Sequence, residues 1–159
     1  MIRNPQVRAR RVHRLFSDAG PLPATIQSSL EPLEPGVSAS LAAALCLEGA
    51  ETVLMVALVD LKDWCVLTTE RLSWSSAGTI HHLIWEEVTG VQQPPALSAR
   101  IIRGETPKDE AEELEVFNAS GSAYQLKLPM GAAYYMVWSA IAALGNISRR
   151  PDEIRLDTR

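Results

Sequence analysis

Cysteine is nearly missing from this sequence, and long apolar runs are missing altogether. The two cysteines, Cys46 and Cys65, lack the paired spacing of a zinc site, and two thiols cannot build a disulfide scaffold. Both are expected as small buried hydrophobes. No unbroken apolar run exceeds the seven residues of 41–47 and 53–59, far below the roughly 20 that a membrane-crossing helix needs. Residues 1–5 lack an apolar segment followed by small residues, so no secretory leader is read there and a cytoplasmic location is expected. Gly-x-Ser-x-Gly, His-Glu-x-x-His, Gly-x-Gly-x-x-Gly and phosphate-loop patterns are absent too, which removes the usual nucleophile elbows, zinc helices and nucleotide cradles. No serine or threonine has a local base to activate it. The expectation is therefore a noncatalytic chain with no cofactor and no metal.

What is present is a folded domain. The 159 residues are 47% apolar and 21% charged, with a formal charge of −4, which excludes disordered and collagen-like chains. A domain of this length buries roughly 70% of its unfolded surface and needs no staple. The charge is unevenly placed. Residues 1–17 hold Arg3, Arg8, Arg10, Arg11 and Arg14 and no acid, so the remainder carries ten basic against nineteen acidic groups. Two readings of this arm stay open. Its arginines meet an anionic surface, either nucleic acid or a membrane to which the chain attaches peripherally. Alternatively, the arm is a helix docked through Val12, Leu15 and Phe16 with its arginines in water.

Pro and Gly punctuate residues 20–36, so residues 1–37 form a basic arm and connector, with one helical turn expected at 25–30. Residues 38–148 form the main domain and 149–159 a charged tail. A helix is expected over 38–48, capped by Ser38 and stopped by Gly49. Strands follow at 52–59, 64–68, 72–74, 79–85 and 98–103. Residues 112–118 and 122–128 alternate strictly, with Leu114 and Val116 facing Tyr124, Leu126 and Leu128, as in a half-buried hairpin. From Met130 the apolar period becomes helical through Ile147, and Gly145-Asn146 marks the end. The order is α+β: about seven antiparallel strands, then one capping helix.

The run Cys65-Val66-Leu67-Thr68-Thr69-Glu70-Arg71-Leu72-Ser73-Trp74, followed by residues 80–91, a two-stranded unit and a last helix, resembles the bacterial pleckstrin-homology-like family and the related GRAM domains. The likeness covers residues 50–147 and rests on Leu67, Thr68, Arg71, Leu72 and Trp74, with the acidic corner after Trp85. It implies a partly open, seven-stranded barrel capped by a C-terminal helix, and an oligomer of identical chains. Phosphoinositide-binding relatives place several cations around their first hairpin loop. Here that loop is Asp60-Leu61-Lys62-Asp63, one lysine between two aspartates, which argues against that ligand.

His81-His82 with Glu86-Glu87 is the one local group with metal or acid-base chemistry, but adjacent strand residues point to opposite faces. One histidine is expected at the surface, the other packed, and both glutamates solvated. Trp64, Trp74, Trp85 and Trp138 are expected in the core. Tyr134 and Tyr135, adjacent on the last helix, are the candidate partner surface. The functional expectation is protein interaction or self-assembly through open sheet edges. Anionic-surface binding by the arm and a small-molecule carrier under the last helix are the alternatives.

Overall fold

The structure, a computed structural model, describes residues 5–149. Arg3 and residues 150–159, most of the expected tail, lie outside them. In chain order the elements are α1 (Pro5–Ala19), β1 (Ile26–Gln27), α2 (Pro35–Leu45), β2 (Val53–Leu58), β3 (Trp64–Thr68), β4 (Arg71–Ser76), β5 (Thr79–Ile84), β6 (Val88–Gln92), α3 (Pro95–Ile102), β7 (Glu113–Asn118), β8 (Ala123–Lys127) and α4 (Ala132–Arg149). Among the described residues the strands form two antiparallel sheets, β1-β2-β3-β4-β5 and β6-β7-β8. The chain is α+β with a C-terminal helix, as expected. The sheets are two separate layers, joined by a 3-10 turn at Trp85–Glu87, and do not close into one barrel.

Two cores hold the fold. The larger lies between the sheets and α4, where Trp74, Trp85, Leu114, Leu126, Tyr134 and Ile141 are fully buried. The second lies on the outer face of the five-stranded sheet, where Leu41 and Leu45 of α2 cover Val56, Trp64 and Val66. Strand β2 is therefore apolar on both faces, because both are covered. A bulge between Val53 and Met55 adjusts its register on β3.

Several expectations change. Residues 98–103 belong to helix α3, not to a strand; Pro95 opens the helix, where its missing N–H costs nothing. The 25–30 segment holds no helical turn, because Ile26 and Gln27 pair with Ala57 and Val56 as a short edge strand. Helix α2 begins at Pro35, with the Glu34 side chain accepting from the Gly36 N–H, so Ser38 is no cap. It stops at Cys46, whose φ of 46° is left-handed, three residues before Gly49. That exposes Cys46, and only Cys65 is the buried thiol. Helix α4 runs past Gly145-Asn146 to Arg149. The hairpin of β7 and β8 has the expected facing, with Leu114, Val116, Leu126 and Leu128 buried.

Candidate functional site

The arm is a helix, and it is docked. Helix α1 packs on α4 and β2, with Val12 in the main core and Leu15 and Phe16 against it. Arg8 does not belong to a surface-binding set, because it is only 3% exposed. Its guanidinium donates to the Thr69 carbonyl at 2.7 Å, to Glu86 Oε1 at 3.0 Å and to Ser148 Oγ at 3.0 Å. A charge taken out of water needs partners of this kind. Glu86 is accordingly a half-buried ion-pair partner, not a solvated carboxylate, while Glu87 is exposed. Arg10, Arg11 and Arg14 of α1 are exposed to water.

The tyrosine pair divides in the same way. Tyr134 is 0% exposed and cannot meet a partner; its hydroxyl donates to the Glu113 carbonyl at 2.7 Å, and burial pushes its pKa up. Tyr135 is exposed, stacks on Trp138, and is tethered through its hydroxyl to the Lys108 carbonyl. Of the tryptophans, Trp64, Trp74 and Trp85 are buried and Trp138 is half-buried.

The histidines part across the sheet. His81 turns inward, stacked on Trp74 with centroids 5.1 Å apart and beside Tyr124. His82 turns outward, where its Nδ1 lies 2.7 Å from Ser73 Oγ and 3.2 Å from Arg71 Nη1. Arginine can only donate, so this Nδ1 accepts and the proton of the neutral ring sits on Nε2. Partial burial and the Arg71 charge both hold the His82 pKa below its ordinary range. Arg71 also donates to Glu51 Oε1 at 2.8 Å and to the Leu45 carbonyl, capping the end of α2. Thr68 Oγ1 donates to that same Glu51 oxygen and accepts from the Glu70 and Arg71 N–H groups, so the Thr-x-x-Arg turn is a structural corner.

No family model, curated protein or solved structure matches the chain. The site must be read from its own geometry.

That geometry lies at the sheet edges. An unpaired edge strand offers a row of N–H and C=O groups to any extended chain, and folded proteins protect such edges. Here β1 is two residues long. Strand β6 carries a bulge between Val88 and Gly90 and is faced by α4. Strand β8 ends in Lys127 and packs across β3 and β4. Among the described residues, strand β5 has none of these devices. It has six residues, Thr-Ile-His-His-Leu-Ile, without a fixed charge, a proline or a bulge, and among those residues it pairs only with β4. Its outer face shows Ile80 at 44% and Ile84 at 38% exposure, with His82 between them. The turn before it is rigid, because the Ala77 N–H donates to Asp63 and the Gly78 N–H to the Lys62 carbonyl. A strand over residues 79–85 was visible in the sequence. That no helix among the described residues would cover this end of the sheet was not.

A cleft of about 180 Å³ lies between β6 and α4, lined by Val88, Val91, Ile141 and Gly145 among others. Ligand pockets are roughly 300–1,000 Å³, so this cleft lends the carrier reading no support. No helix among the described residues is long and apolar enough to cross a membrane.

Proposed function

We propose that the chain is a noncatalytic, pleckstrin-homology-like interaction module that binds a protein by adding a strand to β5. The observation that carries this reading is the contrast among edges of the described residues: three are shortened, bulged or covered, and β5 is long, uncharged and open. The antiparallel strands ending in a helix, with the Thr68–Arg71 corner, support the family likeness. The noncatalytic reading is supported by the pairing of charged and polar side chains with one another: Arg8 with Glu86, Arg71 with Glu51, Ser73 with His82.

A photo-cross-linking residue at position 80, compared with one at the still more exposed position 102 of α3, tests the reading in the living cell. Adducts at 80 that Ile84→Lys abolishes are the expected result. Equal or absent labelling at the two positions overturns it.

A second reading is favoured by Arg10, Arg11 and Arg14, which share the outward side of a docked helix. Three guanidiniums on one rigid surface suit an anionic surface such as a phospholipid membrane. Replacing all three with Gln should abolish any salt-sensitive binding to phosphatidylserine vesicles. Wild-type protein that ignores such vesicles at low salt removes this reading.

A further inference from the structure

The open edge has a register that suits one occupant in particular. In an antiparallel pair, directly opposed residues lie on the same face of the sheet. Two β5 strands related by a two-fold axis through His82 place Ile80 opposite Ile84 of the copy and His82 opposite its own equivalent. His81 then faces Leu83. The outer face becomes a ladder of apolar pairs around two neutral imidazoles, and no fixed charge of either strand meets its like. A shift by one residue destroys this match, because it sets the apolar face of one strand against the inward face of the other.

We propose that β5 pairs with β5 of a second copy in this register, making a continuous ten-stranded sheet across the dimer. The proposal rests on the interaction-module reading and names its partner. An isologous contact of this kind is closed: each copy uses on the other the one open edge found among its described residues, so assembly stops at two. Six residues a side make a small interface, so the dimer belongs to the concentration-dependent, transient class.

The test uses the full chain with Cys46→Ser, which removes the exposed thiol. In that background His82→Cys places two sulfurs at directly opposed positions, where Cα atoms lie about 4.5–5.5 Å apart, within disulfide reach. Mild oxidation should convert it to a disulfide dimer. Thr79→Cys should stay monomeric, because the two copies of position 79 are then about 20 Å apart along the strands. Sedimentation equilibrium should show the mass rising from 17.4 kDa toward twice that value with concentration. Ile84→Lys should weaken the association by about tenfold or more, since the symmetry doubles each loss, and Ile102→Lys should leave it unchanged. Monomer at every concentration, with His82→Cys uncross-linked, overturns the second copy as partner. If position 80 still labels another protein, the module reading survives that failure; if it labels nothing, both fall. Equal cross-linking of the two cysteine variants overturns the register.

Discussion

The two ends of the five-stranded sheet are built to different rules. At the β2-β3 end the outer face carries Val56, Trp64 and Val66, and Leu41 and Leu45 of α2 bury all three. At the β5 end the same face carries Ile80 and Ile84, both exposed, and no helix among the described residues lies over them. Both ends are antiparallel strands that set apolar side chains on that face. What differs is the cover, so apolar residues at one end serve stability and at the other are left available for contact.

The sharpest way to break this comparison is Leu45→Ala. Leu45 is fully buried, and its truncation leaves a cavity over Val66, so unfolding in urea should show a loss of about 2–5 kcal/mol. A loss under about 1 kcal/mol would mean that the covered end is no more structural than the bare one.

Next comes the boundary between the two ends, held by Arg71. Arg71→Met removes the cap on the Leu45 carbonyl and the ion pair to Glu51, whose side chain is only 5% exposed. The expected loss is about 2–3 kcal/mol, because a buried carboxylate is left with fewer partners. Adding Glu51→Gln should recover part of it, and a double-mutant cycle measures how much. Additive losses would show that the two side chains do not act together.

How much of this was readable beforehand depends on the range of the contacts. The β7-β8 hairpin was legible because Leu114, Val116, Leu126 and Leu128 report a local period. Helix α3 was misread because Ile101 and Ile102 look strand-like, although Pro95 at its first position was a start signal. Arg8 could not be read at all. Its partners are 61, 78 and 140 residues away, and nothing near it in the sequence marks it apart from Arg10 or Arg11. Tyr134 and Tyr135 are chemically alike, and a rotation of one helical step decides which is buried. The candidate site shares this limit: β5 was legible as a strand, but its being bare follows from where α2 ends.

Acidification probes the boundary with a smaller effect. The folded protein holds His82 below its ordinary 6.5, through partial burial first and the Arg71 charge second, with Glu51 opposing and His81 adding slightly. The unfolded chain therefore binds the proton first. The contribution of His82 is whole above about pH 6.5 and is lost as the pH falls below it. Because the ring is largely in water, the loss should stay under about 1 kcal/mol. Glu51 acts in a separate window. Burial opposes its ionisation, but hydrogen bonds from Arg71 and Thr68 outweigh burial and hold it below its ordinary 4.5, so its contribution disappears only as the pH falls below that value. Unfolding midpoints at pH 7.5 and 5.5 should differ less for His82→Gln than for the wild type. An unchanged difference would exclude His82 as the source.

The smallest effect on stability is expected at Ile84, and this makes it the most informative position. Ile84→Ser removes a side chain that is already 38% exposed and opposite Arg71, so stability should move by no more than about 0.5 kcal/mol. The same change removes both apolar pairs of a β5-β5 contact, since symmetry uses Ile84 twice. Folding and association should therefore separate in this one variant: an unchanged urea midpoint, with a weaker dimer by sedimentation. If the urea midpoint falls as it does for Leu45→Ala, Ile84 belongs to the core, and the bare end of the sheet is as structural as the covered one.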